Sequence, residues 1–213
     1  MSEPPAPSTR LDLSALRRAS EASPAARAVH RAVLYAFAIA GDAPDPARFV
    51  DEVALSELHN RDLVRLGPGG AIVVAYPFSG VPTTHVVEIA DGPTVWSMCA
   101  IDALGMGKML GRDTLIRSTD PLTSEPITVQ IRDRQQTWNP RDAVVFVGAI
   151  GAADDCCSTT PSVDRCCTVL NFFANKRNAR AWHAAHPEVS GAVADQATAY
   201  RLGAETFGGL LQG

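Results

Sequence analysis

After Gly80 the strand-forming segments of this chain follow one another instead of alternating with helices, and that narrows the fold more than any other feature. "THVVEIA" and "TVWSM" flank Asp91-Gly92, a dipeptide suited to a tight hairpin turn. "DTLIRS", "ITVQIRD" and "AVVFVGA" add further runs rich in β-branched residues. A doubly wound parallel sheet needs a helix between strands. The run therefore implies an α+β fold with a mixed or antiparallel sheet as its core and helices on its flanks. Those helices are expected from about Cys99 to Leu110, over "NKRNARAWHAAHP", and over "DQATAYRLGAETFGGLL", where glycines weaken the pattern. "TVLNFFA" is short and apolar enough for a buried strand.

Residues 1–80 read differently. Ser23, Pro24 and Gly41 mark the cap, first residue and exit of a helix over residues 24–40. Asp45-Pro46 and Ser56 are two further helix start signals. "LVRLGPGGAIVVAYPFSG" then reads as strand, Gly-rich turn, strand. Three helices before a β-hairpin is the order of a winged-helix domain. The chain thus divides into a winged-helix-like domain over 1–80 and an α+β domain over 81–213, the part expected to carry any catalytic site. The first nine or so residues form a disordered tail rather than a signal peptide.

Composition removes several functions. Residues 1–80 hold eight arginines and no lysine against nine acidic residues, and the whole chain carries a net charge of −4. A nucleic-acid reader needs a clearly basic face, so none is expected to bind here. No stretch of ~18 apolar residues is available to span a membrane. The protein is expected in the cytoplasm.

Five cysteines remain: Cys99, Cys156, Cys157, Cys166 and Cys167. In a reducing compartment free thiols are more often reactive or metal-binding than structural. One buried cysteine can be a mere small hydrophobe. Four within residues 156–167 are harder to explain as packing. Cys-x-x-Cys is absent, and adjacent pairs suit structural zinc badly. Clustered thiolates do suit a large soft ion, with mercury(II) as the extreme case.

Cys99 and Asp102 lie three residues apart, on one face of the expected helix. At a helix N-terminus the backbone amides favour a thiolate at Cys99. A carboxylate beside it should titrate high, and a carboxyl that keeps its proton near neutral pH is a usable general acid. The pair is either a soft nucleophile with a proton carrier, or a buried cysteine beside an aspartate that the helix dipole favours.

"WSMCAIDALGM", "CCTVLNFFA" and "ARAWHAAHPEVSGAVADQATAYRLGAETF" together resemble the organomercurial lyases, also called alkylmercury lyases. The resemblance runs from about Val86 to the C-terminus, and the N-terminal helices and hairpin fit that family's small winged-helix-like domain. It implies protonolysis of a carbon–mercury bond, giving a hydrocarbon and Hg(II). The implied catalytic residues are Cys99, Asp102 and Cys167, which lies five residues before Phe172-Phe173. The same three would hold mercury as substrate and product, with Cys166, Cys156 and Cys157 as further candidate ligands. A shift of one residue at "TVLN" would select Cys166 instead of Cys167. Trp96, Met98, Ile101 and Leu104 would supply dry surroundings for an alkyl or aryl group. The resemblance further implies no organic cofactor, turnover supported by cellular thiols, and hand-off of Hg(II) to a mercuric reductase. The chain lacks the additional cysteine that many members carry in the strand after the Cys99 helix. The other reading of these thiols is a non-catalytic mercury- or copper-binding sensor built on the winged-helix segment.

Overall fold

The computed structural model describes residues 15–49, 51–150 and 162–212. Cys156 and Cys157 lie outside them. Helix α1 (Ala15–Ser20) was not foreseen from the sequence. Helix α2 (Pro24–Ala40) begins where expected: the Ser23 side chain accepts the Ala26 N–H and Pro24 fills the first position. Gly41 ends it at φ 84, a left-handed geometry that glycine adopts without strain. Ala26, His30, Val33, Leu34 and Phe37 form its buried stripe at three- and four-residue spacing.

The next two start signals behave differently from expectation. Asp45-Pro46 produces only the single 3-10 turn Pro46–Arg48. Helix α3 (Glu52–Asn60) starts at Asp51, whose side chain accepts the Ala54 N–H, and Ser56 falls inside it. A capped amide next to an acidic first turn favours the earlier start, because both satisfy the positive helix end.

Strands β1 (Val64–Leu66), β2 (Ile72–Ala75), β3 (Phe78–Ser79), β4 (His85–Ile89) and β5 (Thr94–Ser97) lead into helix α4 (Ala100–Leu110). Then come β6 (Thr114–Thr119), β7 (Pro126–Arg132), β8 (Gln135–Asn139), β9 (Val144–Ile150) and β10 (Asn171–Phe173). Helix α5 (Lys176–Ala184), strand β11 (Val189–Ala194) and helix α6 (Gln196–Phe207) complete the described chain. β8 and β11 are additions to the sequence reading. β8 is largely polar, and β11 carries Gly191, so neither shows a clear apolar alternation.

The protein is α+β. One sheet runs β1-β2-β3-β5-β4-β6-β7-β8 and a second runs β10-β9-β11. All their pairings are antiparallel, which settles the mixed-or-antiparallel alternative. β3 pairs with β5, Phe78 opposite Ser97, so the sheet continues across Gly80. Helix α4 is buried on nearly every side, and α6 crosses it at very short range. A Cβ on Gly105 of α4 would lie 2.6 Å from the Gly203 carbonyl oxygen of α6. A Cβ on Gly203 of α6 would likewise lie 2.7 Å from the Ile101 carbonyl oxygen, so the glycine that weakens α6 as a sequence pattern also lets it seat against α4.

Candidate active site

The site forms where one strand ends and another is about to begin. β5 leaves the sheet at Ser97, whose hydroxyl donates to the Cys99 carbonyl at 3.1 Å. Cys99 is extended, at φ −155, and acts as the N-cap of α4. Its sulfur accepts the backbone N–H of Asp102 at 3.4 Å, satisfying an amide at the helix start. The second thiol arrives from the other sheet. A wide, π-type turn spans Val163–Cys167, and the chain then enters β10. β10 pairs with β9, placing Phe172 opposite Val145 and Phe173 opposite Val144. Phe172 packs edge-on against Trp138 and His85, which fixes the strand in the core. The Ala100 N–H donates to the Leu170 carbonyl at 2.9 Å, binding the start of α4 to the segment after Cys167.

These restraints bring Cys99, Asp102 and Cys167 together. One ligand atom from each lies within 4.8 Å of the others, and all three residues are buried. Two metal–thiolate bonds of about 2.3 Å each, the length for zinc, cover nearly the whole of that span. One soft ion can therefore bridge both sulfurs with little movement. No histidine belongs to this group among the described residues. His30 and His85 are both pushed down to about 4 by burial, so neither is poised to serve as a base.

The protons are held in an unusual way. Burial pushes the Asp102 carboxyl up to about 8, against the smaller lowering effect of its hydrogen bond with Cys99 and of the Arg18 charge. The high value expected from the sequence is found, but desolvation rather than a neighbouring thiolate is its main cause. The expected thiolate at Cys99 is corrected. Burial raises Cys99 well above the usual thiol range, and hydrogen bonding with Cys167 and the charge of Asp102 add to it. The backbone bond from Asp102 lowers it, but by less. At Cys167 the hydrogen bond with Cys99 lowers the thiol, yet burial together with the charges of Asp102, Cys166 and Asp62 leaves it raised. The resting site thus holds two thiols and a neutral acid at pH 7. Asp102 Oδ2 is buried with no hydrogen-bond partner among the described residues. A carboxyl oxygen left unsatisfied in a packed core costs stability, and such a group needs an explanation beyond packing.

A narrow cavity of about 20 Å³, room for roughly one water, lies beside this group. Its walls include Ile101, Asp102, Cys166, Cys167, Leu170 and Phe207. Cys166 thus shares the cavity although it stands outside the three-residue group. Ile101 is the one member of the expected dry wall that lines it. Leu104 is fully buried behind, and Trp96 and Met98 are only partly buried. Arg18, Tyr76 and Ser162 also line the cavity, and sequence reasoning missed all three. No local motif distinguishes them, because they come from α1, the β2–β3 turn and the entry to the cysteine turn.

A family model described as alkylmercury lyase matches residues 78–208. The alkylmercury lyase of Staphylococcus epidermidis is 31% identical over 119 residues, 55% of this chain and 52% of that protein. That of Bacillus cereus is 30% identical over 132 residues, 62% and 56% of the two chains. That of Streptomyces lividans is 31% identical over 133 residues, 62% and 58%. The match therefore spans little more than half the length of these curated relatives. A solved structure described as the mercury-bound form of MerB2 superposes with a TM-score of 0.76, covering 95% of this chain and 98% of that one. Its identity is 21%, so that likeness is one of fold. The matched family region takes in Cys99, Asp102 and Cys167 and well over half of the sequence, and the chain belongs to the alkylmercury lyase family.

Proposed function

We propose that this protein is an organomercurial lyase that splits the carbon–mercury bond by protonolysis, with Cys99 and Cys167 as mercury ligands and Asp102 as proton carrier. The observation that carries this reading is the convergence of two buried thiols and a protonated carboxyl within 4.8 Å. Mercury is substrate and product, and the chemistry calls for no organic cofactor.

The steps balance without an oxidant or reductant. An organomercurial bound to an external thiol exchanges that thiolate for the two cysteine sulfurs. Each sulfur that binds mercury gives up its proton. One proton leaves with the external thiol. The other replaces the proton that Asp102 hands to the carbon. The products are a hydrocarbon, the free thiol, and Hg(II) held by two sulfurs. Two thiolates push electron density onto mercury and make the carbon more basic. A neutral acid held in a dry site protonates it without competition from water. Ile101, Leu170 and Phe207 give the organic group an apolar wall.

The non-catalytic metal-binding alternative explains the thiols but not Asp102. A soft-ion trap gains nothing from a buried carboxyl kept neutral at pH 7 with one oxygen unpartnered among the described residues. We read residues 1–80 as a winged-helix-like cap and 81–213 as the catalytic part. Arg18 and Tyr76 of the cap face the cavity, so the cap's role is to close the site rather than to read DNA. No described helix is long and apolar enough to cross a membrane. A cytoplasmic protein that discharges Hg(II) to cellular thiols and onward to a mercuric reductase fits this chemistry. Cys156 and Cys157 are candidates for that discharge. Incubation with phenylmercury and excess thiol tests the proposal. Benzene and Hg(II) formed in equal amounts support it. Intact phenylmercury recovered from the protein contradicts it.

A further inference from the structure

Asp62 stands outside the thiol group yet joins the elements around it. It lies between α3 and β1, with φ 54. Its Oδ2 accepts the backbone N–H of Ser162 at 3.0 Å and also the Ser162 hydroxyl. Its Oδ1 accepts the Tyr76 hydroxyl at 3.5 Å. Arg18 Nη2 donates to its carbonyl at 3.4 Å and lies 4.0 Å from its carboxylate. All three partners line the cavity beside Asp102.

Ser162 immediately precedes the turn that carries Cys166 and Cys167. The downstream end of that turn is held by β10 and by the Leu170 carbonyl, which accepts the Ala100 N–H. Among the described residues, the side chain that grips Ser162 at the upstream end is Asp62. A helical turn of only five residues is marginal on its own, so such anchors keep it in one geometry.

We propose that Asp62 is a positioning residue for carbon–mercury cleavage: its carboxylate latches the upstream end of the cysteine turn to the N-terminal cap and thereby holds Cys167 within reach of Cys99 and Asp102. This rests on the lyase reading above. Asp62 touches neither mercury nor carbon, and it acts through the placement of the second sulfur. Two preorganised sulfurs act as a chelate, so loosening one lowers the effective concentration of the pair.

The left-handed backbone at Asp62 permits a clean test. Glycine and asparagine both tolerate φ near 54, so Asp62→Gly removes the latch without backbone strain and Asp62→Asn restores an acceptor oxygen. Each protein is titrated with mercuric chloride against a fixed monothiol competitor, read by thiolate-to-mercury absorption in the ultraviolet. Cleavage of phenylmercury is measured in parallel. Asp62→Gly is expected to weaken two-sulfur Hg(II) binding at least tenfold and to lower kcat more than it raises KM. Asp62→Asn should recover most of both, and Ser162→Ala should fall between. Unchanged mercury binding in Asp62→Gly, or an asparagine variant as impaired as the glycine one, overturns the proposal. If the wild type forms no benzene, the lyase reading fails, and the mercuric chloride titration still decides the latch.

Discussion

The backbone N–H of Asp102 donates to the sulfur of Cys99 at 3.4 Å, while Oδ2 of the same aspartate is buried without a partner among the described residues. A three-residue spacing thus does two things at once. It caps a helix with a thiol, and it brings a carboxyl that keeps its proton to about pH 8 against the same sulfur.

Asp102→Asn keeps the shape and removes the proton. Mercuric chloride binding should be little changed, because both sulfurs remain. Single-turnover cleavage of phenylmercury should fall by about 100-fold or more, the usual contribution of a general acid. A quenched-flow measurement of benzene checks this, and an asparagine variant at the wild-type rate would remove Asp102 from the mechanism.

The raised Asp102 carboxyl also sets a pH dependence of stability. Between its ordinary 3.8 and about 8, the unfolded chain has released this proton and the folded chain has kept it. The unfolded state then binds fewer protons, so stability falls as pH rises through the window, by up to about 1.4 kcal/mol per unit. Below the window the contribution vanishes, and above it the loss is constant. Asp102→Asn has no such group. Urea unfolding of both proteins from pH 4 to 8 should show the variant gaining on the wild type with rising pH. A constant difference would mean that Asp102 is not held neutral.

The cysteines separate by position. Cys99→Ser and Cys167→Ser should each bind mercuric chloride through one fewer sulfur and lose turnover, since a hydroxyl is a poor mercury ligand. Cys166→Ser should keep two-sulfur binding and activity, because Cys166 lines the cavity from outside the close group. Ultraviolet titration and turnover of the three variants check this. Activity lost in Cys166→Ser but kept in Cys167→Ser would reverse the assignment of the second thiol.

The α4–α6 crossing supports the site from behind. Gly105→Ala would place a methyl 2.6 Å from the Gly203 carbonyl oxygen and equally close to the Phe207 ring. Overpacking of this kind costs about 1–3 kcal/mol, against a gain of about 1 kcal/mol in helix propensity. A net destabilisation is expected in thermal unfolding, with Phe207, which lines the cavity, displaced.

Much of this was legible in the sequence, for identifiable reasons. Ser23, Pro24 and Gly41 mark the ends of α2 because caps act locally. The strands after Gly80 show because apolar alternation and the Asp91-Gly92 turn are local too. Cys99 and Asp102 could be paired from their spacing alone. The state of their protons could not. A helix N-terminus favours a thiolate, and only the burial around Cys99 shows that desolvation wins. Asp62, Arg18 and Ser162 were equally hidden. They meet through tertiary contacts across 44 and 100 residues of chain, which no short motif encodes. α3 was placed imperfectly because Asp51 and Ser56 are both acceptable caps, and packing of Ala54, Leu55 and Leu58 decides for the first.

The most direct test of carbon protonation is the isotopic composition of methane released from methylmercury in a single turnover in deuterium oxide. The buried acid and the thiols exchange their hydrogens with solvent before substrate is added. The mechanism predicts one methane per active site, each carrying a single deuterium, with one Hg(II) left on the protein. Methylmercury recovered intact, or methane without deuterium, would contradict it.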